Sequence, residues 1–361
     1  MQRRQFLKAA ALGAAASTIA APAIAQSAPE LKWRMAASWP KSLDTLYGAC
    51  EQFAKYVAEA TDNKFQIQVF AAGEIVPGLQ VLDAVQNATV EMGNSTPYYY
   101  WGKDPAFAFG TAVPFGLNAR QNSAWIVQAG GGDLLNELFA RYNCYGLLMG
   151  NTTAQMGGWF RKEIKTVQDL KGLKFRIGGF AGKVISKLGV VPQQLAPGDI
   201  YPALEKGTLD AVEWIGPYDD EKLGFVKVAK YYYSPGWWEG SANGFTFINL
   251  DKWKLLPKHY QGILTAAAFQ AGEWLTSKFD HLNPPAIRRL VAAGAQLRVF
   301  SPDLMEAAWH ASNETYAELS QANPRFKKLH DSLMDFRNNS YQWWQVCELP
   351  FDSFQVRMRR T

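Results

Sequence analysis

Downstream of its N-terminal segment, the chain switches repeatedly between two hydrophobic periods. Leu31-Lys32-Trp33-Arg34-Met35-Ala36 alternates apolar and polar positions, and so does Phe65-Gln66-Ile67-Gln68-Val69-Phe70. A period of two predicts half-buried strands. Between them, Leu43 to Ala60 carries apolar residues at helical spacing, with Leu46, Phe53 and Val57 on one stripe. Leu79 to Asn87 reads as a short helix and Val90-Glu91-Met92-Gly93 as a short strand. Strand, helix, strand, helix, strand predicts a mostly parallel sheet with helices on its faces.

A second set of elements opens at the strand Tyr145-Gly146-Leu147-Leu148-Met149-Gly150. It continues through a strand over Lys174 to Ile177, helices over Gly182 to Leu188 and Ile200 to Lys206, and a strand over Asp210 to Ile215. Gly244-Phe245-Thr246-Phe247-Ile248-Asn249 then looks like a strand returning to the first set. Beyond Pro257 the pattern is almost entirely helical, with apolar stripes over Tyr260 to Lys278, Asp303 to Ala322 and Arg325 to Val346. A chain of this length exceeds the usual size of a single core. The reading is an α/β chain of two lobes: residues 26–150 with a return strand near 243–250, residues 151–240, and a helical region 251–361 spanning both.

The first 25 residues are set apart from the fold. Arg3-Arg4-Gln5-Phe6-Leu7-Lys8 is a twin-arginine n-region, Ala9 to Ala21 a short alanine-rich apolar stretch, and Ala23-Ile24-Ala25 a small-residue cleavage site. That stretch is too short to span a bilayer, and no later one qualifies, so the mature chain is expected to be soluble and exported. Removing it takes away Arg3, Arg4 and Lys8 and no acids, which lowers the formal charge from +5 to +2. A nearly neutral chain argues against nucleic acid as a partner. Cys50, Cys144 and Cys347 are scattered, and Cys50 and Cys144 lie on apolar periodic segments, as packed small hydrophobes do.

Two charged residues follow apolar runs that read as buried strands. Leu170-Lys171-Gly172-Leu173-Lys174-Phe175 leads to Arg176, and Leu209-Asp210-Ala211-Val212 leads to Glu213 and Trp214. In open α/β sheets, ligands bind just outside the carboxyl ends of the strands, which would bring Arg176 and Glu213 into one crevice. A guanidinium fork suits a carboxylate, and a neighbouring carboxylate suits a cation. The pair therefore points to a small organic acid held together with a metal ion. On charge alone, Arg176 could equally be a surface ion pair and Glu213 a solvated strand end.

These runs carry a resemblance. L-K-G-x-K-x-R at Leu170 to Arg176, L-E-x-G-x-L-D-A-x-E at Leu204 to Glu213, and Pro235-Gly236-Trp237-Trp238-Glu239 follow one another in order, after Trp39-Pro40 and Gly73-Glu74-Ile75. The set resembles the substrate-binding proteins of TRAP transporters, most closely their α-keto-acid and 2-hydroxy-acid binders. The resemblance implies a two-lobed periplasmic-binding-protein-like fold with hinge segments, a periplasmic location and TRAP membrane subunits as partners. It makes Arg176 the carboxylate clamp. It also implies a metal bound by Glu213 and the backbone carbonyl of Trp214, with Gln155 as a ligand of substrate or metal.

Gln155 lies in the polar, glycine-flanked stretch Asn151 to Gly158. Its amide can donate to a carboxylate or lend its oxygen to a hard cation, or simply cap a turn. Glu239 either joins the metal shell or makes a hinge hydrogen bond. From Tyr98-Tyr99-Tyr100-Trp101, Tyr98 and Tyr100 are taken as aromatic walls of the pocket, about half of the four rings being core. Arg176, Glu213 and one ligand carboxylate are neutralised by a monovalent ion, which favours sodium; coordination by Glu239 as well makes calcium competitive.

Catalytic motifs are missing. Gly178-Gly179-Phe180-Ala181-Gly182-Lys183 is out of register for a phosphate loop, and Val184 stands where Ser or Thr is required. His259, His281, His310 and His330 have no metalloprotease spacing, and no nucleophile elbow occurs. The leading expectation is a receptor for a small monocarboxylate. The alternatives are a periplasmic enzyme exported by the twin-arginine route, and a sugar-binding protein of an ATP-driven transporter. Finally, Phe336, Tyr341, Trp343, Trp344, Phe351 and Phe354 leave the last helix too apolar to stand alone. This predicts either a homodimer made by exchanging that helix, or a helix folded back across its own lobes.

Overall fold

A computed structural model describes residues 29–359, so the targeting segment lies outside the described residues. Two sheets form the cores of two lobes. The first has the strand order β2–β1–β3–β10–β4, where β1 is Leu31–Ala37, β2 Phe65–Phe70, β3 Met92–Ser95, β4 Cys144–Asn151 and β10 Asn243–Asn249. The second has the order β11–β9–β5–β8–β6–β7. Here β5 is Gly158–Phe160, β6 Lys174–Arg176, β7 Val191–Gln193, β8 Ala211–Val212, β9 Tyr231–Ser234 and β11 Gln296–Val299.

Both sheets are mixed, where the alternation of elements predicts mostly parallel ones. In the first, β1 runs parallel to β2 and β3, but β10 is antiparallel to β3 and β4. In the second, β5 is antiparallel to β8 and β9 while β6 is parallel to β7 and β8. The reason lies in the crossings between lobes. β4 leaves the first lobe at Asn151 and β10 re-enters beside it at Asn243, so the two pair side by side in opposite directions.

All six strands of the second sheet are two to four residues long. None is long enough to show a period, and β11 interrupts the stretch that the pattern makes almost entirely helical. The Lys258–Ala292 helix likewise runs through Pro284 and Pro285, well past Lys278. Proline removes a helical hydrogen bond, and tertiary packing overrides that cost here: Ala286 and Leu290 are buried beyond the prolines. This helix is the spine of the molecule. Lys278 Nζ reaches Asp44 of the first lobe at 2.9 Å, while Asn283 Oδ1 accepts from Tyr218 N of the second at 3.0 Å.

Met35, Phe53, Phe65, Phe139 and Phe247 fill the first lobe, and Phe160, Phe175, Tyr232 and Trp238 the second, all 1% exposed or less. Full burial of such a side chain is worth about 1.5–3 kcal/mol. Cys50 and Cys144 are buried free thiols, as expected of small core residues. No described helix is long and apolar enough to cross a membrane.

Candidate functional site between the lobes

Arg176 ends β6 and Glu213 follows β8, two strands paired in parallel in register Phe175 to Ala211 and Arg176 to Val212. Parallel neighbours end at the same edge, so both charges arrive together, and both side chains are fully buried. Arg176 Nη1 donates to Glu213 Oε2 at 3.2 Å and to the Glu213 backbone carbonyl, and Nε donates to Leu195 O at 3.4 Å. The guanidinium lies over the Trp214 ring at 5.0 Å. Its remaining nitrogen, Nη2, is buried with no hydrogen-bond partner. A free N–H arm on a pinned guanidinium is what an incoming carboxylate requires.

Glu239, which the hinge segment carries, reaches the same place. With Gln155 Nε2 donating to Thr152 Oγ1 at 2.7 Å, the Gln155 amide oxygen faces two carboxylates. That position is 3.1 Å from Glu213 Oε1 and 3.3 Å from Glu239 Oε2, and Glu239 Oε1 has no partner at all. Three converging oxygens repel one another unless a cation sits among them or the amide turns over to donate to both acids. Burial first, and then the Glu239 charge, push the Glu213 carboxyl well above its ordinary range, although Arg176 opposes this. Burial likewise raises Glu239 against the pull of Arg176 and Gln155. Arg176 keeps its charge: burial works against it, but Tyr99, Tyr98 and both glutamates outweigh that cost.

Beside this polar cluster lies a small, partly open cavity of about 30 Å³, walled by Trp39, Leu46, Tyr98, Tyr99, Trp214 and Leu275, with Gln155, Thr96, Thr152 and Asn243 as polar lining. Tyr98 therefore lines this cavity, and Tyr100 does not. The Tyr100 hydroxyl donates to Ser95 Oγ at 2.9 Å and accepts from Leu82 N at 3.0 Å inside the first lobe. Tyr99 takes the place in the wall expected of Tyr100. Pro97–Tyr100 is a 3₁₀ turn, whose three residues per turn aim consecutive side chains in three directions. Gly178 and Gly179 make room for one of these rings. A Cβ on Gly178 would come within 2.5 Å of the Tyr98 ring, and Gly179, at φ +52°, would meet Tyr98 at 2.7 Å. The glycines admit a ring from the opposite lobe rather than the ligand itself.

Several residues that hold the site together carry no local signal. Asp220 is buried and accepts from Trp159 Nε1 at 2.9 Å and Tyr232 Oη at 2.7 Å, anchoring the turn after Trp214. Across the cleft, Thr45 Oγ1 donates to buried Asp219 at 2.8 Å, and Asp44 pairs with Lys222 at 3.0 Å. Gln194 Nε2 reaches Tyr99 O at 3.0 Å from the other side. The lobes are thus closed on each other. Only the pairing of an N-terminal Asp44-Thr45 with a distant Tyr218-Asp219 creates this clasp, and sequence distance hides it.

Burial pushes the Asp219 carboxyl up to about 7, with Thr45 opposing. A raised folded-state value means that the folded protein binds the extra proton, so stability is highest at low pH and falls as pH rises from about 4 through 7. Over that window Asp219 alone accounts for a loss of about 4 kcal/mol. Asp219→Asn should flatten the decline of melting temperature between pH 5 and 8. An unchanged slope in calorimetry would assign the effect elsewhere, Glu213, Asp220 and Glu239 being the other raised carboxyls.

Comparison with known proteins agrees with this geometry. The profile of the bacterial extracellular solute-binding protein family 7 matches residues 35–323. The chain belongs to this family. It is 47% identical to the monocarboxylate 2-oxoacid-binding periplasmic protein all3028 of Nostoc sp., over 98% of this chain and 99% of that one. Among solved structures it is similar to a TRAP transporter solute-binding protein of Bordetella bronchiseptica (TM-score 0.90, 49% identity, 92% of this chain and 100% of that chain). That protein is a mixed-occupancy dimer with copurified calcium and picolinate in one site and the other apo. It is also similar to a TRAP periplasmic solute-binding protein of Pseudoalteromonas atlantica with bound sodium and pyruvate (TM-score 0.87, 35% identity, 90% of this chain and 99% of that chain). The two-sheet fold with its helical C-terminal region is that of TRAP solute-binding proteins.

Proposed function

We propose that this receptor binds a small 2-oxo or 2-hydroxy monocarboxylate together with a metal ion in the periplasm and delivers it to TRAP-type membrane subunits. The observation that carries this reading is the buried, unpartnered Nη2 of Arg176 beside a small cavity with mostly apolar walls. The ligand's carboxylate would take the free arm of the clamp, with Trp214, Tyr98 and Tyr99 excluding water. Gln155, Glu213, Glu239 and the Trp214 carbonyl would hold the metal, which would supply positive charge to the ligand's oxygens.

The position of Glu239 shifts the choice of metal from sodium to calcium. Arg176 offsets one of the two buried carboxylates, and a bound monocarboxylate then leaves two negative charges, which a divalent ion neutralises. All the donors are oxygens, which suits a hard cation.

The assembly follows from the Pro324–Met358 helix. Its first half packs through buried Phe326, Leu329 and Leu333. Arg120 pairs with Glu348 and lies over Trp344 at 4.4 Å, yet Trp343, Val346, Leu349 and Phe351 are more than 60% exposed. Contiguous apolar surface of this kind fits a partner's matching helix, and exchange of that helix is a low-cost route to a dimer. Native mass spectrometry of protein purified from its own periplasm should give a dimer with one organic acid and one calcium per protomer. A chain ending at Asn338 should be a less stable monomer. A full-length monomer at micromolar concentration would refute the exchange, and a retained sugar would refute the carboxylate.

A further inference from the structure

The first-lobe wall of the cavity holds one polar group that the clamp and the metal do not use. Asn243 opens β10 where the hinge enters the first lobe, and it is 1% exposed. Most of its hydrogen-bonding capacity is committed. Its backbone N–H and its side-chain Nδ2 both donate to Thr111 O at 3.1 Å, and its carbonyl accepts from Thr96 Oγ1 at 3.1 Å. The amide cannot turn over, because that would set Oδ1 against the Thr111 carbonyl, acceptor against acceptor. Oδ1 is left buried with no hydrogen-bond partner, on a residue that lines the cavity.

Three neighbouring polar groups in that wall, those of Thr96, Thr152 and Trp39, are occupied. Thr96 Oγ1 is shared with Thr111 Oγ1 at 2.8 Å. Thr152 Oγ1 serves Gln155 and the backbone N–H of Ala242. Trp39 Nε1 donates to Asn94 Oδ1 at 2.7 Å. The clamp thus offers a free donor, Arg176 Nη2, and the cavity wall offers a second free donor, Trp214 Nε1, and one free acceptor from the first lobe, Asn243 Oδ1. A carboxylate satisfies donors. Only a ligand atom carrying hydrogen satisfies the acceptor, and an unmet buried acceptor is costly.

We propose that Asn243 is the specificity residue of this site, reading the substituent next to the ligand's carboxylate and selecting a 2-hydroxy acid over the 2-oxo acid of the same length. The inference rests on the receptor reading above and narrows it. A ketone oxygen placed at Asn243 would oppose a second acceptor, whereas a hydroxyl donates to it. An ammonium group would also donate, but it would enter a site that already holds a guanidinium and a place for a cation, so a neutral hydroxyl is the better match.

The test is calorimetry on the calcium-loaded, full-length mature protein with two matched pairs: pyruvate against each lactate enantiomer, and 2-oxobutanoate against each 2-hydroxybutanoate enantiomer. In wild type, one hydroxy-acid enantiomer of each pair should bind about tenfold tighter or more than its 2-oxo partner, the scale of one satisfied buried acceptor. Asn243→Leu, close in shape but without the amide, should bring that ratio near one by weakening the hydroxy acid more, and Asn243→Ala should do the same. Wild-type protein that binds the 2-oxo acid as tightly or more tightly would overturn the assignment even if neither variant folds, and so would variants that keep the preference. Binding of neither acid would bring down the receptor reading itself, an outcome distinct from equal binding.

Discussion

Arg176→Lys should abolish most of the affinity for a small 2-oxo or 2-hydroxy acid although it keeps the positive charge. The guanidinium is held in place by three contacts, to Glu213 Oε2, the Glu213 carbonyl and Leu195 O, and it presents Nη2 as the remaining arm. Lysine has one compact ammonium and no fork, so it cannot hold the Glu213 turn and grip a carboxylate together. Loss of a buried charge-assisted contact costs about 2–5 kcal/mol. Calorimetry with pyruvate and lactate would measure it, and wild-type affinity in the variant would remove Arg176 from the site. The cost has a structural share, because Glu213 is left with less compensation. The variant's melting temperature therefore belongs beside its affinity.

Removal of metal should have an effect of similar size. Glu213 Oε1 and Glu239 Oε2 lie 3.1 and 3.3 Å from the end of the Gln155 amide, and one guanidinium does not balance two carboxylates plus a bound acid. Without a cation the glutamates must take up protons, consistent with the direction in which burial pushes both. Chelation and exhaustive dialysis should weaken ligand binding by about 3–5 kcal/mol, more than a hundredfold, and added calcium should restore it. Glu239→Gln removes one charge and should let sodium support binding as well as calcium does. Undiminished binding in cation-free buffer would sink the metal reading.

How much of this site was legible along the chain depends on whether its parts are local. Arg176 and Glu213 were legible because each ends an apolar run, and parallel strands deliver their last residues to one edge. Gln155 follows β4 in a polar loop, and Glu239 follows two tryptophans in the hinge, so both stood out by position and type. Tyr100 did not join the site, because a 3₁₀ turn separates side chains that a run of like residues makes look equivalent. The clasp of Thr45 with Asp219 was invisible, since its partners lie 174 residues apart and each looks like an ordinary polar residue near a helix start.

The sequence alone determined the two lobes, the long elements and the identity of the charged groups, because periodicity and end-of-strand chemistry act over a few residues. Only the tertiary structure decided the direction of the crossing strands, the short strands of the second sheet and the passage of a helix through Pro284 and Pro285. It alone placed Glu239 against Gln155, the neighbourhood on which the proposal of calcium over sodium rests. It also left Asn243 with one arm tied to Thr111 and the other free. These features depend on which groups become neighbours after burial, when each unmet donor, acceptor or charge acquires a cost that solvent cancels in the unfolded chain.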